Sequence, residues 1–160
     1  MNFDDAKRII SWEHDYYVKY FLSNIPVEFM NFKVKVDSKS VHEILTHMID
    51  SADDFFFFYL YTGKFLKDYG ISLDFKDKLP KEALEVLTRI KDLEIEALSK
   101  IKCENYFENI VREEEHWISL GIVINHISEH KSYHMGQLFM MADLAGIKLD
   151  GHKLPYGIEP

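Results

Sequence analysis

Residues 119–145 read "SLGIVINHISEHKSYHMGQLFMMADLA", and the period of that stretch decides how the chain folds. In alternating steps of four and three, one seam runs Val123, Ile127, His130, His134, Gln137, Met141, Leu144. Apolar residues at that spacing predict an amphipathic helix from Ser119 to Ala145. Gly146 is placed as its C-terminal stop. Both ends of the seam are apolar, but its middle is His, His, Gln. Burying a polar group without a partner costs about 1–3 kcal/mol. The middle of the seam therefore requires either a hydrogen-bonded core network or a bound ion.

Three more segments carry helical period. The first runs from about Asp4 to Ser23, with Ile9, Trp12, Tyr16 and Tyr20 on one face, and stops at Pro26. The second starts at Ser40 and Glu43, which have capping-box spacing. Its apolar face is Val41, Ile44, Leu45, Met48, Ala52, Phe55, Phe56 and Tyr59, and it ends near Gly70. The third opens at Pro80, a residue suited to a first helical position. Leu84, Leu87, Ile90, Leu98 and Ile101 line it. Residues 32–36, "FKVKV", read as an extended connector, residues 102–117 as a long connection, and the last 14 residues as an irregular tail. Four amphipathic helices bury their stripes best against one another, so the expectation is an all-α four-helix bundle with no sheet. The 160 residues suit one domain, 1–160.

Composition narrows the function. With 27 acidic and 19 basic residues the net charge is −8, which repels phosphate backbones, so no nucleic-acid partner is expected. The longest apolar run, "FFFFYLY" at 55–61, is far too short to span a membrane. Cys103 is the only cysteine, which excludes an intrachain disulfide and suits a reducing compartment. The start, "MNFDDAKRII", has no basic end followed by an apolar core and does not read as a secretory signal. The expected location is the cytoplasm.

His126, His130 and His134 stand four apart. Residues i and i+4 share a helix face, so two imidazoles can converge on one ion. All three cannot. Eight residues separate His126 from His134, a rise of about 12 Å and a turn of about 80°, whereas metal–nitrogen bonds are about 2.1 Å long. The pair is therefore 126 with 130 or 130 with 134. The second lies on the seam, beside Gly136, where a missing side chain leaves room. Further ligands would come from the second helix, where His47 sits at the edge of the apolar face, with His42, Asp50 and Asp54 nearby. Di-iron chemistry requires two Glu-x-x-His motifs; the one present, Glu113 to His116, falls in the long connection. No His-Glu-x-x-His, Gly-x-Ser-x-Gly or phosphate loop occurs.

"HISEHKSYHMGQL" resembles the terminal-helix signature of DinB-like proteins, His-x3-His-x-Gly-Gln, met by His130, His134, Gly136 and Gln137. "SVHEILTHMID" is similar to the family's second-helix segment, whose histidine falls at His47, and "HWISLGIVINH" to its approach to the last helix. The resemblance covers essentially the whole chain. It implies a bundle in up-down-down-up order, often homodimeric. It also implies a divalent metal, nickel or zinc, held by His47, His130 and His134; iron also suits imidazole. Relatives include S-transferases and isomerases that use low-molecular-weight thiols. The resulting expectation is a metal-dependent enzyme acting on a small molecule, with a thiol transferred or used. The ion would lower the pKa of a coordinated thiol or water. His126 is the candidate base and Gln137 the candidate orienting partner. The alternatives are a metal-binding interaction module without turnover, a metal-dependent hydrolase, and a plain bundle with a histidine network.

Overall fold

The computed structural model describes residues 1–113 and 116–149. Helix α1 begins as Phe3–Glu13, passes through a π-helical turn at His14–Val18 and continues as Lys19–Asn24. Helix α2 runs Val41–Ile49, then a π-helical stretch Asp50–Tyr59, then Leu60–Thr62. Helix α3 is Pro80–Lys100 and α4 is Leu120–Leu144. Strands β1 (Ile110–Glu113) and β2 (His116–Ser119) form an antiparallel hairpin, Ile110 opposite Ser119 and Val111 opposite Ile118. The fold is mainly helical, a four-helix bundle. The hairpin corrects the expectation of no sheet: four-residue strands of mixed composition do not rise above a loop in a pattern reading. Residues 150–160 of the expected tail lie outside the described residues.

Cross-helix contacts fix the directions. Glu13 meets Ser132 and Phe21 meets Phe139, so α1 and α4 run parallel. His47 meets His134, Phe56 meets His126, and Tyr61 Oη donates to the Ile118 carbonyl at 3.0 Å, so α2 opposes α4. In α3, Thr88 meets His14 in mid-α1, and the Leu98 carbonyl takes the hydroxyl of Tyr106, whose N–H reaches Met1. Helix α3 thus opposes α1, and the order is up-down-down-up.

The local chemistry of each helix start is plain. Ser40 N–H donates to Glu43 Oε2 at 2.7 Å, and Glu43 N–H donates to Ser40 Oγ at 3.4 Å, which closes the capping box that starts α2. Pro80 takes the first position of α3, and Ser119 Oγ accepts the Ile122 N–H at 3.3 Å to cap α4. Helix α2 ends earlier than its sequence suggests, at Gly63, which adopts φ 69°, a conformation open to glycine at little steric cost.

Two inward faces differ from the period reading. In α1 the buried residues are Ala6, Ile10, Glu13, His14, Val18, Phe21 and Leu22, while Tyr16 is half exposed. In α2 the buried set past Ile49 is Ala52, Asp53, Phe57 and Phe58, with Phe55 and Phe56 only partly buried and Tyr59 exposed. Ala52 and Asp53 are followed by Phe57 and Phe58 five residues on, because i→i+5 hydrogen bonding widens each turn beyond the 3.6 residues the reading assumed. The connection after α3 is itself packed. Tyr106 is fully buried, and its carbonyl accepts the Gly121 N–H at 2.9 Å. A Cβ at Gly121 would lie 2.7 Å from the Phe107 ring, so the first turn of α4 requires glycine or a displaced ring.

Candidate metal centre

Helix α4 presents His130 and His134 one turn apart, and the opposing α2 presents His47. Their rings stand nearly perpendicular, with centroids 5.4 Å apart for His47 and His130, 4.9 Å for His47 and His134, and 4.5 Å for His130 and His134. One nitrogen from each lies within 4.8 Å of the others, so the three could hold a metal ion. Among the described residues neither His42, Asp50 nor Asp54 joins this group. Asp54 is occupied as acceptor of the Leu66 N–H.

The hydrogen bonds select a tautomer. His134 Nδ1 lies 2.7 Å from Gln137 Oε1, and Gln137 Nε2 donates to Tyr133 Oη at 3.0 Å. An amide oxygen only accepts, so His134 carries its proton on Nδ1 and leaves the Nε2 lone pair free. That Nε2 faces His130 Nε2 at 3.1 Å. His130 Nδ1 is buried with no partner in hydrogen-bonding geometry, although the Met48 backbone lies near enough to favour a charged ring. Burial, with the neighbouring histidines, pushes the His130 pKa below its ordinary value; burial also leads the lowering at His134. With His134 Nε2 as acceptor, His130 Nε2–H is the donor of that contact, and a metal bound to the neutral imidazoles would take the place of that one proton. A tetrahedral ion with bonds of about 2.1 Å sets its ligand atoms about 3.4 Å apart, close to the separation of the His130 and His134 nitrogens. The donor set fits a divalent ion.

The other sequence candidates are placed differently. His126 is exposed, its ring against Phe56 at 5.5 Å and stacked on His130 at 5.7 Å. It does not line the cavity that opens on the triad. That cavity holds about 680 Å³ and is walled by Ile44, Tyr133, Gln137, Met140, Met141 and Leu144, with Lys39 at one side. Gly136 makes no room for the site: it is exposed, and a Cβ there would meet nothing within 4 Å.

Behind the triad lies a cluster that the sequence reading missed. Lys131, the residue after His130, pairs with Asp53 of α2 and stands 3.5 Å from Glu94 Oε1 of α3. Glu13 of α1 accepts the Ser132 hydroxyl at 2.9 Å. Asp53 and Glu94 are fully buried and Glu13 nearly so. Burial pulls the Lys131 pKa down, but the charges of Asp53, Glu94 and Glu13 more than reverse this, and it rises. Burial, with the Asp53 charge, holds Glu94 well above the ordinary carboxylate range, and burial lifts Glu13 to about 7. One ammonium cannot neutralise three buried carboxylates, so protons take up the remainder. The cluster draws on all four helices and fixes α4 against α2 one residue from His130. A trace of it was present in the sequence: Glu94 sits four residues from both Ile90 and Leu98, on the buried stripe of α3.

Comparison with protein families matches this chain over residues 10–155 to the DinB family. The chain belongs to the DinB family. The helical layout and the three histidines agree with the resemblance read from residues 40–50 and 126–138. Neither a curated protein nor a solved structure gives a significant match to this DinB-family chain. Among the described residues, no helix is long and apolar enough to cross a membrane.

Proposed function

We propose that this chain, folded as one domain, is a divalent-metal-dependent enzyme of the DinB-like class. His47, His130 and His134 would hold the ion, nickel or zinc, with iron also suited to imidazole. When bound, the ion would supply Lewis acidity, lowering the pKa of a thiol or water in the site. The carrying observation is that three inward imidazole nitrogens lie within 4.8 Å of one another on the wall of an open cavity of about 680 Å³. An interaction module would not require such a cavity beside its ion; a small-molecule enzyme would.

The chain's own side chains have distinct parts in this proposal. Gln137 holds the His134 proton on Nδ1, and Tyr133 holds Gln137. Orienting a ligand imidazole through its second nitrogen raises its basicity. His126, stacked on His130 at the solvent edge, is the proposed proton acceptor. The proposed reaction transfers or uses a low-molecular-weight thiol, a proposal that rests on family membership. Three further expectations join it. A homodimer is supported by the exposed apolar stripe of Ile122, Tyr133 and Met140 on α4. A cytoplasmic location is supported by the free thiol of Cys103. The substrate is a small molecule.

Elemental analysis of untagged protein and of the three single alanine variants tests the ion. Near-stoichiometric metal in the parent and loss in each variant is expected; full occupancy in two variants would sink the assignment. Cobalt-substituted protein titrated with small thiols tests the chemistry. A sulfur-to-metal charge-transfer band supports the thiol reaction, and an unchanged spectrum with every thiol tried favours hydrolysis.

A further inference from the structure

The cavity beside the triad has an uneven lining. Ile44, Met140, Met141 and Leu144 make it largely apolar, and Met140 and Leu144 are more than half exposed to it and to solvent. Among the described residues, the side chains that line it include one full cation, Lys39, and no carboxylate, although the chain carries 27 acidic residues and 19 basic ones. Lys39 has no ion pair or hydrogen bond among the described residues, whereas nearby Lys33 is held by Glu43 at 3.0 Å. Lys39 lines the same cavity as His47, His130 and His134.

We infer that this cavity takes a small organic monoanion with an apolar body, its charged end toward Lys39 and the triad and its body along Ile44, Met140, Met141 and Leu144. The inference rests on the metal reading for part of its charge. A divalent ion on three neutral imidazoles keeps its charge of two, Lys39 adds one, and no carboxylate among the described lining residues offsets them. An anion brought into a partly desolvated site of that sign is favoured over a neutral ligand of the same shape. The lining also argues for a carboxylate over a phosphate ester. Phosphate is usually gripped by several donors, forked arginines or a run of backbone N–H groups; here one lysine supplies a single point charge. The volume of about 680 Å³ suits a small organic ligand and is larger than a lone carboxylate requires.

Titration calorimetry with hexanoate, hexanol and acetate tests this on zinc-loaded protein whose zinc content is measured in the same samples. Hexanoate should bind once per chain, at least tenfold tighter than hexanol, with acetate weaker than both. Lys39→Gln should weaken hexanoate about twofold to fivefold, the range of one exposed charge contact, and leave hexanol unchanged. Met141→Asp, which places a carboxylate in the wall, should abolish hexanoate binding while retaining zinc. Equal affinity for hexanoate and hexanol, indifference to Lys39→Gln, or no binding to zinc-replete protein overturns the inference and leaves the metal reading intact. If the parent binds no zinc, the metal reading falls. Lys39-dependent hexanoate binding to that protein would still uphold the anion site, and its absence would overturn both.

Discussion

Replacing Glu13 with glutamine should make the protein more stable, and increasingly so as pH rises. Glu13 is 3% exposed and its pKa stands at about 7, against an ordinary 4.5, chiefly because burial penalises its charge. Between those values the folded chain holds a proton that the unfolded chain has released, so stability falls as pH climbs through the window. The loss is about 1 kcal/mol near pH 5 and about 3 kcal/mol near pH 8, where Glu13 is ionised in both states. Glutamine keeps an oxygen for the Ser132 hydroxyl, and Lys131 keeps Asp53 and Glu94. For a chain of this size 1 kcal/mol moves the melting temperature by about 2–4 °C. Thermal melts of parent and Glu13→Gln should therefore differ by only a few degrees near pH 5 and by about 6–12 °C near pH 8. A gap that does not widen with pH would refute the reasoning, as would a variant that melts below the parent at the higher pH.

Bound zinc should persist at neutral pH and leave only below about pH 6.5, because ligating imidazoles must be neutral and burial already favours that form at His130 and His134; occupancy followed by dye competition checks it. His126→Ala should keep the ion and lower the rate of any thiol reaction found, whereas loss of the ion would place the site one turn nearer the start of α4. Gly136→Ala should raise stability by about 1 kcal/mol if that face of α4 is free, since mid-helix glycine is costly and a Cβ there meets nothing; a lowered melting temperature with a shift toward monomer in sedimentation would mark it as the dimer contact. Phe57→Ala should cost about 3–5 kcal/mol and Phe55→Ala far less, because Phe57 is fully buried and Phe55 is not; equal losses in denaturant unfolding would contradict the packing.

Much of the fold was legible because α3 and α4 obey a plain 3.6-residue period, and because Pro80 at the first position of α3 is a local signal. The histidine triad was legible for the same reason. His130 and His134 break an otherwise apolar seam, and a residue on a seam must face something. Two things were hidden. The inward face of α1 includes Glu13 and His14, which a hydrophobicity pattern assigns to water. Glu13 joins Asp53, Glu94 and Lys131, and His14 meets Thr88; these are distant in sequence, and only the packed bundle brings them together. In α2 the period itself changes at Asp50, so residues read correctly as far as Ala52 were then assigned to the wrong face. Nothing local announces a π-helical stretch, because it is selected by what the second half of the helix must bury.

That stretch also separates length from residue number in α2. In a uniform helix, removing one residue turns everything beyond it by about 100°, which is why chain-length changes usually collect in loops. Residues 50–59 already absorb extra residues within the helix. A one-residue deletion there would be taken up by tighter winding, so that the far end, Phe57 through Thr62, would escape the 100° turn and His47 would still face α4. The near half of α2 is thereby insulated from edits to the far half. A relative with one residue more or fewer in this region could keep the same three histidines, and a sequence alignment of the two should place its gap inside the helix.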